Sequence, residues 1–135
     1  MYKNILVPIA LEHNRDTGAA MDVAHRLLAP NGRITALHVT EALPSYVAQY
    51  LSDDQLENRF DEAVTALKAE IGGVKDVHPV VMSGHSGRSI VDYASDHEVD
   101  CIIIASHQPG MQDYFLGSTA ARVVRHAHCA VHVIR

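Results

Sequence analysis

No stretch of this sequence approaches the roughly 18 consecutive apolar residues that a membrane-spanning helix requires. The opening MYKNILVPIA holds an apolar run too short for a secretory signal. The chain is therefore expected to be cytoplasmic, with no membrane insertion. A basic excess is missing as well: 11 Lys and Arg stand against 16 Asp and Glu, for a net charge of −5. A general nucleic-acid binder presents a basic face, so nucleic acid is not an expected partner. Cysteine is scarce, with only Cys101 and Cys129, each inside an apolar run. They read as buried thiols, since a disulfide is not expected in a chain with no export signal. Linkers, internal repeats and low-complexity segments are absent from the 135 residues, so one domain spanning 1–135 is expected.

What is present is the composition of a soluble globular protein, 47% hydrophobic and 20% charged. Ten histidines make the charge sensitive to pH between about 6 and 7. Strand-like runs fall at Lys3–Ala10, Arg33–Thr40, Val77–Ser83, Val99–Ser106 and Cys129–Arg135. The first and fourth are continuous apolar blocks, the pattern of central strands covered on both faces. Helical patterns lie between the strands. The first, TGAAMDVAHRLLAP, carries Ala20, Val23, Ala24, Leu27 and Leu28 on one face and is stopped by Pro30-Asn31-Gly32. The second carries Leu56, Phe60, Ala63, Val64, Leu67 and Ile71 on one stripe, with Ser52 or Asp53 as cap and Gly72-Gly73 as terminator. The third, SGRSIVDYASDHE, places Ile90, Val91 and Ala94 together, and the fourth is GSTAARVVRHA. One irregular piece, Glu41 to Asp53, holds Tyr46 and Tyr50. It reads as a short packing helix, with a cover over a pocket or a partner-facing surface as the alternative.

Strands alternating with helices in this way predict an α/β fold. Each crossover is long enough for a helix, so the strands are expected to be parallel and the connections right-handed. The fold class is a three-layer α/β/α doubly wound, five-stranded parallel sheet, with order 3-2-1-4-5 if the two continuous runs are central. Ligands of such sheets bind at the carboxyl ends of the strands where the order reverses, here between strands one and four. Several phosphate-handling signatures fail at that place. The ALEHNRD segment after strand one is neither a flavodoxin phosphate loop nor a Rossmann glycine fingerprint. The acidic positions of a receiver domain are missing. No lysine lies between Asp76 and Arg135, which removes the Walker loop. There remains the start of the fourth helix, Gly117-Ser118-Thr119, after a central strand and a loop. Free N–H groups, the positive end of a helix dipole and two hydroxyls favour an anion there. A plain helix cap is the competing reading.

Taken together, MYKNILVPIA, ALHV in strand two, the SGHSGRSIVDYA turn, DCIIIASH and the ending LGSTAARVVRHAHCAVHVIR resemble the universal stress protein family. The resemblance is to its small single-domain bacterial type and covers essentially the whole chain. SHQPGMQDYFLGS is similar to a subgroup with a Ser-His-x-Pro loop. The resemblance implies a Rossmann-like fold of the adenine nucleotide alpha hydrolase type. Its nucleotide-binding members hold adenine nucleotide with a Gly-x2-Gly-x9-Gly-Ser/Thr pattern. In this chain Ala105 and Gln108 replace the first two glycines, and eight residues rather than nine precede Gly117-Ser118. Ala10 stands where the family's first strand carries Asp. Carried over by position, Pro8, Ile9, Ala10 and Val39 would line the adenine and ribose. Ile104, Ala105, Ser106, His107 and Gln108 would border the ribose and first phosphates, with Gly110 taking the tight turn. Gly117, Ser118 and Thr119 would hold the phosphates of ATP, ADP or AMP, with Mg²⁺ or Mn²⁺ carried mostly by phosphate and water. His107 has a second reading as a solvent-facing loop residue.

Ser86 is placed as the cap of the third helix, and Arg88 as a group in reach of a phosphate or of an exposed carboxylate. His126, His128, Cys129 and His132 fall within seven residues, but a helix-to-strand turn between them argues against a tetrahedral zinc site. The resemblance further implies a homodimer through the last strand, Ala130, Val131, His132, Val133 and Ile134. It also implies protein partners, transporters among them, although no residue here specifies one. No general base, Walker lysine or evident nucleophile stands at the expected site, so efficient turnover is not expected; slow hydrolysis or self-modification stays open. An adenylating ATP pyrophosphatase would need a Ser-Gly-Gly-x-Asp-Ser loop after strand one, which is absent. Two readings stay open: a nucleotide-binding regulatory dimer, and a dimeric interaction module that binds no nucleotide.

Overall fold

The computed structural model describes residues 1–11, 17–72, 76–106 and 116–135. Five strands form one sheet: β1 (Tyr2–Pro8), β2 (Leu28–Thr40), β3 (Val77–Ser83), β4 (Cys101–Ala105) and β5 (Ala130–Ile134). Their order is β3-β2-β1-β4-β5 and every pairing is parallel, as the crossover lengths require. The helices are α1 (Thr17–Leu27), α2 (Ser45–Ala48), α3 (Asp53–Ile71), α4 (Ser86–Asp96) and α5 (Ser118–His126). None of them is long and apolar enough to cross a membrane, among the described residues.

The side-chain alternation of the strands divides the core in two. Ile5, Val7, Ile34, Ala36, Cys101 and Ile103 meet Ala20, Met21 and Ala24 of α1 and Leu67 and Ile71 of α3. Leu6, Leu37, Ile102 and Ile104 meet Ile90, Tyr93 and Ala94 of α4 and Ala120 and Val123 of α5. β1 and β4 bury residues on both faces, which is why their sequences are continuous apolar runs. Asp100 ties their amino ends together. Its carboxylate accepts the Lys3 and Asn4 N–H groups at 2.8 and 3.0 Å, and its own N–H donates to the Asn4 carbonyl at 3.0 Å.

Three local expectations are corrected. First, α1 ends at Leu27, and Leu28 already pairs with Tyr2 in the sheet. The Pro30-Asn31-Gly32 turn is absorbed as an irregularity inside β2, where the register shifts and Asn31 takes a left-handed φ of 63°. Second, α2 is present but buries no residue; Tyr46 is 67% and Tyr50 82% exposed. Third, only Leu67 and Ile71 of the α3 stripe are buried, whereas Leu56 and Phe60 face solvent. α3 has 19 residues and β3 has 7. The buried residues of α3 lie in its last two turns, so the apolar stripe of its first half stays outside the core. The boundaries of α3 follow its chemistry. The Ser52 hydroxyl accepts the Gln55 N–H at 3.2 Å, while the Gln55 side chain accepts the Ser52 N–H at 2.9 Å. Gly72 closes the helix with φ 70°.

Both cysteines carry free thiols. Cys101 is buried; burial first, then Cys129 and Asp100, push its thiol up to about 11. Cys129 is only half-buried, and its thiol is raised chiefly by burial. Unfolding returns Cys101 to its ordinary value near 9. Below that pH both states hold the proton; above it the unfolded chain releases the proton first. Stability is therefore expected to fall as pH rises from about 9 to about 11. Urea midpoints at pH 8 and 10.5 check this, and Cys101→Ala should flatten the difference.

Candidate functional site

A cleft of about 300 Å³ opens at the carboxyl ends of the strands, where β1 and β4 lead to opposite sides of the sheet. The β1 end contributes Pro8, Ile9, Ala10 and Leu11, and the β2 end contributes Leu37, His38, Val39 and Glu41. Ile104, Ala105 and Ser106 come from the end of β4. Ser86 and Ile90 of α4, with Gly117, Ser118, Thr119 and Ala120 at the start of α5, complete the wall. Ten of the positions expected from the sequence thus meet in one concavity: Pro8, Ile9, Ala10, Val39, Ile104, Ala105, Ser106, Gly117, Ser118 and Thr119. His107, Gln108 and Gly110 lie outside the described residues.

The start of α5 is chemically open. Gly117 is the N-cap and no side chain caps the helix; the first bond within the helix runs from the Ala121 N–H to the Gly117 carbonyl at 2.8 Å. The preceding N–H groups have no partner within the helix. The first turn carries no acidic residue, so the positive end of the dipole is uncompensated locally. Ser118 is exposed and Thr119 half-buried, and neither side chain caps the helix, the cap position being held by Gly117. Ser106 fixes the approach to this end. Its N–H and hydroxyl both donate to the Ile134 carbonyl, at 2.8 and 3.2 Å.

The other end is built differently. Glu41 Oε1 accepts from the Ser86 hydroxyl at 3.2 Å, bridging the end of β2 to the start of α4. The expected role of Ser86 is therefore corrected: His85 is the cap of α4, its Nδ1 accepting the Arg88 N–H at 3.3 Å, and Ser86 is freed for Glu41. Gly84 makes this turn with φ 150°, a conformation that L side chains rarely adopt. Arg88 is exposed and is not part of the wall. His38 is 8% exposed, and its Nδ1 lies 2.8 Å from the Ile9 carbonyl oxygen. No Lys or Arg lines the cleft, among the described residues. Among the described residues, the groups of the cleft suited to an anion are the backbone N–H groups and hydroxyls at the start of α5.

Sequence reasoning did not single out His38, Glu41, Leu37 or Ile90 for the site. The available signals were a lone polar residue inside the apolar ALHV run and the first charge after strand two. No group of three His, Cys, Asp or Glu side chains converges among the described residues.

A parallel five-stranded sheet in this order, with helices on both faces and a cleft at the reversal point, defines a Rossmann-like α/β protein. The chain belongs to the universal stress protein family, whose family model matches residues 1–135. It is 30% identical over 145 residues to universal stress protein G of Salmonella typhimurium, covering all of both chains. The solved universal stress protein UspA from Lactobacillus plantarum is 27% identical, with a TM-score of 0.69, over 99% of this chain and 98% of that one. More distant structures share the fold. One is a family protein from Arabidopsis thaliana with AMP bound, 17% identical with a TM-score of 0.62, over 98% of this chain and 90% of that one. Another is a universal stress protein in complex with cAMP, 17% identical with a TM-score of 0.63, over 99% and 97%.

Proposed function

We propose that this chain is an adenine-nucleotide-binding regulatory protein that works as a homodimer with little or no turnover. The observation that carries this reading is the uncapped start of α5 opening into the cleft at the reversal point of the sheet. Gly117, Ser118 and Thr119 hold the phosphates; Pro8, Ile9, Ala10 and Val39 line the base and ribose; Ile104, Ala105 and Ser106 border the sugar. His107, Gln108 and Gly110 belong to the same proposal through the loop before α5. The nucleotide complexes of relatives with this fold support it. The hydroxyls of Ser118 and Thr119 are the hard oxygen ligands at the phosphate end, too few to hold a divalent ion alone. Mg²⁺ or Mn²⁺ therefore enters with the phosphates and keeps most of its water. The test is release of adenine nucleotide from the purified, denatured protein, followed by calorimetric titration of ATP with Mg²⁺. Absence of both nucleotide and heat at millimolar ATP overturns the reading.

The dimer forms through β5. This strand is an edge of the sheet, paired on one side with β4, and Ala130 and His132 are exposed on it. An uncovered edge offers unpaired backbone groups to a second copy. Sedimentation is expected to give twice the 14.7 kDa chain mass. His132→Asp sets like charges against each other near the centre of the seam and should shift the protein to monomer. A wild type that is monomeric at all concentrations removes the proposal. The two free thiols support a cytoplasmic setting.

A second reading, a dimeric interaction module without nucleotide, is favoured by the exposed Tyr46, Tyr50, Leu56 and Phe60. It accommodates a protein partner such as a transporter. The titration that fails for the first reading is the result expected of the second.

A further inference from the structure

α4 and α5 both start at the carboxyl end of the sheet, and the first residues of both belong to the cleft wall. Neither first turn carries an acidic residue of its own. One arginine lies between the two starts. Arg122 is half-buried on α5, four residues after Ser118 and three after Thr119. Side chains at those spacings share a face, and each leans towards the amino end of its helix. Arg122 therefore covers the turn that carries Ser118 and Thr119. Its stem is located from the other side by Gly87, the buried second residue of α4. A Cβ added at Gly87 would stand 2.7 Å from Arg122 Cδ, 3.3 Å from its Cγ and 3.2 Å from its Cβ. The stem thus lies against the first turn of α4, in space that only a glycine leaves open. The guanidinium begins one bond beyond Cδ. It is not part of the wall of the cleft, but it stands at the level of both helix starts, next to the phosphate end.

We propose that Arg122 is a specificity-determining residue that reads the length of the phosphate chain: its guanidinium takes the second phosphate of a nucleoside diphosphate or triphosphate. The inference rests on the nucleotide reading above. With the first phosphate on the N–H groups at the start of α5, the rest of the chain leaves the cleft past Ser118, which is exposed. Arg122 flanks that exit. Glu41, held on the Ser86 hydroxyl at 3.2 Å, is the acidic residue of the wall among the described residues. Its charge repels a phosphate chain and turns it towards the arginine. The planar guanidinium meets two phosphate oxygens at once and keeps its charge at any pH the folded protein meets. A nucleoside monophosphate ends before the guanidinium and gains no bond from it. The start of α5 thus holds any nucleotide, and Arg122 ranks nucleotides by their number of phosphates.

The experiment titrates AMP and ADP by calorimetry, with a chelator present so that no metal bridges the phosphates. Wild type is expected to bind ADP about tenfold more tightly than AMP, the effect of one charge-assisted bond. Arg122→Met keeps an apolar stem against Gly87 and removes the charge. It should bind AMP as wild type does, and ADP no better than AMP. Gly87→Ala should also lower the ratio with the arginine still present, because the new Cβ displaces the Arg122 stem. Arg125→Met removes a charge from the exposed last turn of the same helix and should leave the tenfold ratio in place. Equal binding of AMP and ADP by the wild type overturns the inference and leaves the nucleotide reading intact. So does a full ratio in Arg122→Met or in Gly87→Ala. So does an Arg125→Met protein that loses the ratio as completely as Arg122→Met, the mark of a general charge effect. Failure of the wild type to bind either nucleotide overturns the nucleotide reading itself, and this inference with it. If Arg122→Met does not fold, the wild type and Gly87→Ala decide.

Discussion

Gly117→Leu is expected to abolish adenine-nucleotide binding while leaving the fold in place. Gly117 has φ −59° and ψ 155°, a conformation open to any residue. A Cβ built there would meet nothing nearer than the Ser106 carbonyl oxygen, at 3.6 Å. The protein therefore tolerates the first carbon, and the rest of a leucine side chain grows into the cleft over the start of α5. It would stand where a phosphate must approach the N–H groups of the first turn. Each charge-assisted bond lost there is worth about 1.5–3 kcal/mol. Losing two of them predicts a fall in affinity of at least about 100-fold. Stability should stay within about 0.5 kcal/mol of wild type, as for substitutions outside the core. Calorimetry reads the first quantity and urea unfolding the second. Unchanged affinity in a folded Gly117→Leu protein removes the phosphate end of the proposed site.

The second large effect concerns the core. Ile102→Ala should destabilise the protein by about 3–4 kcal/mol. Ile102 is 0% exposed, pairs with Leu6 on one side and Val131 on the other, and packs within the cluster that includes Ile90 and Val123. Both neighbouring strands hold the backbone in place, so the cavity left by the missing carbons cannot readily collapse. Against the 5–15 kcal/mol typical of a folded domain, this is a large share. The thermal midpoint should fall by roughly 10 °C. Leu56→Ala provides the contrast. Leu56 lies on an equally apolar helical stripe but is exposed in the first half of α3, and its loss should cost under about 1 kcal/mol. A comparable loss in the two variants would contradict the boundary of the core described above.

The sequence by itself determined the order of the elements, the parallel sheet, the order 3-2-1-4-5 and the place of the cleft. These properties follow from local signals: continuous apolar runs at Ile5–Val7 and Cys101–Ile104, helical spacing between strands, and a Gly-Ser-Thr helix start. A strand covered on both faces must be apolar at every position, and that demand can be read one residue at a time. Other features depend on where one element stops relative to another. The stripe from Leu56 to Ile71 states that α3 has an apolar face, but only its packing in the core decides that Leu67 and Ile71 are the half that is covered. Ser86 looks like a helix cap until Glu41, 45 residues away in sequence, takes its hydroxyl. His38 is a lone histidine in an apolar run until the chain just past β1 brings the Ile9 carbonyl oxygen within 2.8 Å of its Nδ1. Tertiary structure decided these points because each depends on a hydrogen bond or a boundary supplied by a distant segment, which no local periodicity encodes.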